Sequence, residues 1–284
     1  MNIRIVTDST CDLPDEVVEA LNITVVPLYI NVGDQGYLDN VEISRTDFYD
    51  NLPHYSTHPT TGTPGIDTFL KIYKELAHEG ASAIISIHIS ESLSATVDVA
   101  RNAAEQFNDI PVTVIDSQQL SLGTGFQVEA AARMAREGRK LDEILAAMRD
   151  LSSRTFVTAA LDTLEYLRRS GRMNAVMASL GSLLQLKPIL TMFKGEPGSE
   201  RVRTTSKAFQ RLAAMLEERQ PIERFALLHT NAPEAAEKFK QHVADLIPVN
   251  HAYSMDITPV IGAHIGPGAV GFAVISEILK KGSL

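Results

Sequence analysis

Three short runs rich in β-branched residues, NIRIVTD at 2–8, ASAIISIHI at 81–89 and IPVTVIDS at 110–117, alternate with segments of helical periodicity. Strands that are apolar on successive residues need both faces covered. A sheet achieves this when the chain crosses back over it through helices, so these strands are expected to run parallel. The covering helices are visible between them: Phe69, Ile72, Tyr73 and Leu76 recur at helical spacing, as do Val97, Ala100, Ala104 and Phe107. ITVVPLYINVGDQGYLDNVEI at 23–43 breaks the rhythm with alternating residues around Gly33, Asp34 and Gly36, the pattern of a hairpin inserted into the α/β core.

After the helical stretch KLDEILAAMRDLSSR a second set of apolar runs begins with TFVTAAL, followed by LKPILTMF, RFALLHT, NHAYSMDI and AVGFAVI. KGEPGSE is a turn signal, which predicts antiparallel pairing here with helices on one side. A chain of 284 residues exceeds one typical core. The expected division is a parallel-sheet α/β domain with an inserted hairpin over residues 1–153, and a mixed α/β sandwich domain over 154–284.

With 44% apolar and 21% charged residues the chain is an ordinary globular one, and its formal charge of -9 argues against binding nucleic acid, which needs a basic face. The N-terminus turns polar within MNIRIVTDST, and no apolar run reaches about 18 residues. A cytoplasmic protein without stable membrane insertion is expected. Cys11 is the single cysteine, which excludes an internal disulfide and a multi-cysteine metal site.

GPGAVG at 266–271 fits the dinucleotide pattern G-x-G-x-x-G, but AVGFAVI, which continues from its second glycine, reads as a strand where that fingerprint needs a helix. A tight turn entering a strand is the better account. GTG at 123–125 lacks a third glycine, and no G-x-x-x-x-G-K-[ST] occurs. Ser94 and His264, with Asp8 or Asp116, have the residue types of a hydrolytic triad but no G-x-S-x-G elbow. His54 and His58 have neither a third ligand nearby nor an H-E-x-x-H motif, so no metal is expected.

The carboxyl ends of the expected parallel strands are more informative. They run into TDSTCDLP, SESLSAT and IDSQQLSLGTG, all rich in hydroxyl and acidic residues, at the edge where open α/β sheets bind ligands. HPTTGTPG at 58–65 adds a fourth such segment, with Pro64 placed to begin the first turn of a helix starting near Ile66. Some of the hydroxyls among Ser90, Ser92, Ser94 and Thr96 can simply cap a helix; together the segments describe a site for a small anion with few or no cations.

Several of these blocks in order resemble the DegV family of bacterial fatty-acid-binding proteins: TDSTCDLP, TTGTPG, ISESLSAT, IDS with LSLGTG, LEYLRRSGRM, LKPIL and IGAHIGPGAVG. The resemblance spans nearly the whole chain. It implies a two-domain α/β protein holding one long-chain fatty acid, tail in an apolar tunnel and carboxylate near the domain interface. It further implies an acyl-carrying subunit whose ligand is phosphorylated by a separate ATP-dependent fatty acid kinase, the acyl phosphate entering phospholipid synthesis. The chain itself would then be no enzyme and would need no cofactor.

By the same resemblance, Thr61, Ser94 and His264 match the residues that hold the carboxylate, with Gly62, Thr63, Ala95 and Thr96 around them; of the serines in SESLSAT, Ser92 is then read as the helix cap. Arg172 matches an arginine associated with kinase docking. This sequence departs from the family pattern at Gly62 and Gly65, where serines are usual, at Ala95, where a glycine follows the serine, and at Ser170, where a glycine precedes the arginine. Those changes bear on head-group hydrogen bonds and on docking. The alternatives are a lipid or ester hydrolase using Ser94 and His264, and a carrier that only sequesters lipid.

Overall fold

Alternate residues of the first apolar runs part to opposite faces of one sheet. Ile3, Ile5, Ile85 and Ile87 enter one buried core, Val6 and Ile84 another. In the computed structural model, which describes residues 2–173, 186–248 and 253–278, this sheet contains β1 (Ile3–Asp8), β2 (Thr24–Val26), β6 (Ala83–His88) and β7 (Val112–Asp116). Its order is β2–β1–β6–β7, and every pairing is parallel. Helices Ile66–His78 and Thr96–Gln106 cover the Val6 and Ile84 face, and helices Leu122–Arg136 and Leu141–Arg154 cover the other.

β2 departs from the sequence reading. Thr24–Val26, expected in the inserted hairpin, is instead the edge strand of the parallel sheet; Pro27, which has no N–H to extend a ladder, follows directly. The hairpin itself is β3 (Tyr29–Val32) with β4 (Gln35–Leu38), turning at Gly33, whose φ is +60°. β5 (Thr60–Gly62) pairs antiparallel with β3 and completes a small three-stranded sheet. Its core, including Ile30, Phe48 and Tyr49, is closed by Val260 and Ala263 of the helix Pro259–Ile265.

The remaining strands, β8 (Thr155–Ala160), β9 (Lys187–Phe193), β10 (Glu196–Val202), β11 (Ile222–His229), β12 (Tyr253–Asp256) and β13 (Val270–Ser276), form a mixed sheet in the order β10–β9–β8–β13–β11–β12. Only β11 and β12 are parallel. KGEPGSE proves shorter as a turn than expected. Lys194 and Gly195, at φ +52° and +78°, make the reversal, and Glu196 already begins β10. Pro197 is tolerated because β10 is an edge strand. Residues 250–252 of the expected strand NHAYSMDI lie outside the described residues.

Helices Thr205–Glu217 and Pro233–His242 cover the outer face of this sheet through Leu212 and Phe239 against Phe225 and Phe272. Its inner face, with Val157, Leu228 and Ala273, shares the core of the first sheet across the helices Leu122–Arg136 and Leu141–Arg154. That middle layer is tightly seated. A Cβ on Gly125 would stand 2.4 Å from the Cys11 carbonyl oxygen, and one on Gly123 would stand 2.5 Å from Val157 Cγ2. The GTG triplet therefore serves close packing between the sheets. In GPGAVG, Gly266 (φ +74°) ends the helix Pro259–Ile265 and Gly268 (φ +85°) turns the chain into β13, as the strand-entry reading expects.

Candidate ligand-binding site

Thr61 lies in β5 and Thr63 just past its end, and both line the same cavity. Thr61 Oγ1 lies 2.9 Å from His264 Nε2, and Thr63 Oγ1 lies 3.1 Å from Thr96 Oγ1. Thr96 Oγ1 is in turn 2.8 Å from Ser94 Oγ. A strip of hydroxyls and one imidazole thus joins three elements: the small sheet, the start of the helix Thr96–Gln106 and the helix Pro259–Ile265.

The strip opens on a cavity of about 360 Å³ lined by Thr61, Gly62, Thr63, Ser94, Ala95 and His264, and otherwise chiefly by apolar residues such as Ile89, Leu120, Val157, Leu190, Met192 and Leu228. Among the described residues no carboxylate lines it, and Arg172 is the one charged side chain that does. Burial first, then the nearby charges of Arg172 and His58, push the His264 imidazole down to about 4, so it is neutral at neutral pH. Its Nδ1 has no hydrogen-bond partner among the described residues.

Ser92 does not cap the helix Thr96–Gln106, whose N-cap residue is Ala95 and has no side-chain bond; the Ser92 hydroxyl lies 3.0 Å from Ser90 Oγ instead. Ser94 comes closer to that role, since its Oγ accepts from the Thr96 N–H at 3.3 Å. Pro64 precedes the helix Ile66–His78, for which Gly65 is the N-cap. Arg172, expected at a docking surface, is exposed but also lines the cavity, and its Nη1 donates to the Ser170 carbonyl at 3.3 Å. Arg168 and Arg169, its companions in sequence, both bind Glu165.

The triad arrangement is not assembled. Ser94 bonds to Thr96 and His264 to Thr61. Asp8 is committed elsewhere: its Oδ2 is 2.9 Å from His88 Nδ1, His88 Nε2 is 2.7 Å from Ser86 Oγ, and the Tyr73 hydroxyl donates to Ser86 Oγ at 2.9 Å. Burial pushes Asp8 up, but His88 and the bonds from Thr10 and the Ile89 N–H outweigh it and hold the carboxyl below its ordinary range. This chain of buried groups ties the end of β1 to β6. Asp116 Oδ1 accepts from the Gln118 N–H at 2.8 Å. His58 packs on the Tyr166 ring, and no cluster of three or more His, Cys, Asp or Glu among the described residues is placed to hold a metal.

At the departures from the family pattern there is room for the usual side chains. A Cβ on Gly62 would find its nearest neighbour at 3.6 Å, and one on Gly65 would find none within 4 Å. Ser170 has φ -79°, a conformation that does not require glycine. The apolar lining from β8 and β9 has no separate signal in the sequence, because cavity-facing and core-facing residues of a strand carry the same pattern. Ser121, which also lines the cavity, is likewise silent there; its φ of +50° and ψ of -142° have no local signature outside glycine.

Residues 2–277 match the family described as "uncharacterised protein, DegV family". A DegV domain-containing protein of Streptomyces coelicolor is 37% identical over 283 residues, 97% of this chain and 99% of that one. Another, of Listeria innocua, is 34% identical over 273 residues, covering 95% and 96%. Among solved structures, a fatty-acid-binding DegV family protein from Thermus thermophilus is 37% identical and superimposes with a TM-score of 0.89, covering 98% of this chain and all (100%) of that one. DegV of Bacillus subtilis, a fatty acid binding protein, is 31% identical with a TM-score of 0.87, covering 98% and 100%.

Proposed function

The chain belongs to the DegV family, and we propose that it holds one long-chain fatty acid in the cavity, with the tail among the apolar residues and the carboxylate at Thr61, Ser94 and His264. The observation that carries this reading is the joining of an apolar cavity to a strip of hydrogen-bond donors with no carboxylate in the described lining. Each buried methylene contributes about 0.8 kcal/mol, so a long tail supplies the affinity and offsets the partial desolvation of the head group.

The hydroxyls then orient the head. With the Nε2 proton of neutral His264 donated to Thr61 Oγ1, the Thr61 hydroxyl proton points to the carboxylate, and Ser94 donates from the other side. Thr96, itself bonded to Thr63, holds the Ser94 hydroxyl in place. A head group held by neutral donors is bound less tightly than one clamped by a buried guanidinium, which suits a carboxylate passed to another protein. We therefore assign the chain the role of acyl carrier for a separate ATP-dependent fatty acid kinase, which phosphorylates the presented carboxylate, and Arg172 the role of contacting that kinase. Among the described residues no helix is long and apolar enough to cross a membrane.

Mass spectrometry of lipid extracted from denatured protein tests the binding: about one fatty acid per chain is expected. Finding no acyl chain, together with no rise in melting temperature on adding palmitate or oleate, overturns it. Acyl-phosphate formation from the bound ligand, dependent on added kinase and ATP, tests the carrier role.

A further inference from the structure

A buried ionic cluster fastens together the elements that carry the hydroxyl strip while contributing nothing to the strip itself. Asp12 follows β1 in a left-handed conformation (φ +54°), and it and Asp39 are each 1% exposed. Asp12 Oδ1 accepts from the Thr258 N–H at 2.9 Å, Oδ2 accepts from the Ser121 hydroxyl at 2.5 Å, and Arg45 Nη2 stands 3.2 Å from Oδ1. The Thr258 hydroxyl donates to Asp39 Oδ2 at 2.5 Å, and Arg45 Nη1 donates to the Asp256 carbonyl.

Thr258 is the N-cap of the helix that bears His264, and Ser121 lines the cavity. Arg45 begins the helix Arg45–Asn51, which packs with the small sheet bearing Thr61. From the same helix the Tyr49 hydroxyl donates to the Ile257 carbonyl at 2.8 Å, and its ring occupies the space left by Gly262, where a Cβ would meet Tyr49 Oη at 2.3 Å. The small sheet and the His264 helix are therefore clasped on the side where Arg45 and Asp12 lie, and Thr61 and His264 meet as a consequence.

We propose that Asp12, Asp39 and Arg45 are positioning residues for head-group recognition: they set the small sheet against the helix Pro259–Ile265 so that His264 holds the Thr61 hydroxyl towards the carboxylate. This rests on the fatty-acid reading of the cavity. A buried ion cluster adds little stability over apolar packing of similar volume, whereas its directional bonds fix how elements meet. Arginine suits the place because one planar fork serves the Asp12 carboxylate and the Asp256 carbonyl at once, which a lysine ammonium cannot do with the same geometry.

The test compares the affinity for palmitic acid with that for hexadecanol, which has the same tail and a neutral head, in the wild type and in Thr61→Ala, Arg45→Met, Arg45→Lys, Asp12→Asn and Asp39→Asn. The wild type is expected to prefer the acid, and Thr61→Ala to lose much of that preference. Arg45→Met and Asp12→Asn should lower the acid-to-alcohol ratio about tenfold while hexadecanol still binds, and Arg45→Lys should restore part of it. Where Arg45→Met fails to fold, Arg45→Lys and Asp39→Asn decide by the same ratio. An undiminished ratio in these variants, or equal loss of acid and alcohol in all of them, overturns the proposal. A wild type without preference for the acid, or an unchanged ratio in Thr61→Ala, overturns the head-group reading itself and the positioning role with it.

Discussion

Thr61 Oγ1 and His264 Nε2 stand 2.9 Å apart although 203 residues separate them in the chain. The contact lies where the small three-stranded sheet meets the helix Pro259–Ile265, and it is the one hydrogen bond through which the imidazole reaches another described residue's side chain. Burial at this junction, and after it the nearby charges of Arg172 and His58, make the histidine's protonation state a property of the assembled fold.

That state can be read from stability. The His264 imidazole sits at about 4 in the folded protein against an ordinary 6.5, so the unfolded chain binds this proton more readily. Its contribution to stability is complete above pH 6.5 and is lost as pH falls towards about 4. The ligand-free wild type is therefore expected to lose melting temperature over this interval more steeply than His264→Gln. Parallel profiles would show that the imidazole is not held neutral by burial.

Thr61→Ala and Ser94→Ala are each expected to weaken fatty-acid binding by about 1–3 kcal/mol, the worth of a hydrogen bond to a charged group, because the tail contacts remain. Acyl-phosphate yield should fall further than affinity, since the head group loses its orientation. Calorimetry with palmitate and a kinase-coupled assay check this. Unchanged values in the double variant would remove both residues from the site.

Arg172→Ala should slow kinase-dependent acyl-phosphate formation and make the rate less sensitive to salt than in the wild type, since a steering charge is lost. Fatty-acid affinity should change by less than about tenfold, because an exposed guanidinium interacts through water. Loss of bound lipid from the purified variant would instead assign Arg172 to holding the head group.

Gly125→Ala is expected to destabilise the protein by about 1–3 kcal/mol, since its new methyl would press on the backbone at Cys11. Gly65→Ser, at an N-cap with open space around it, should cost nothing and can stabilise by a few tenths of a kcal/mol. Denaturant melts of the two variants compare them directly. A tolerated alanine at position 125 would contradict the close seating of the middle helix layer.

Local order in the chain was enough to establish the parallel core. Ile3, Ile5, Ile85 and Ile87 alternate with Val6 and Ile84, so a strand with two buried faces is written into neighbouring residues. The hydroxyl-rich strand ends were legible for the same reason, since they follow directly on the apolar runs. Thr24–Val26 was misplaced because three residues carry too little period to tell a core strand from a hairpin arm. Tertiary structure alone decided which polar groups meet. Asp8 found His88 and not His264, Ser94 found Thr96, and Arg45 reached Asp12 and Asp256. Arg172 came to the cavity lining although its neighbours Arg168 and Arg169 turned to Glu165. Periodicity tells each segment which face to bury, a matter of adjacent residues. The partners of polar groups are chosen when separately formed layers close on one another, and no local pattern records that registration.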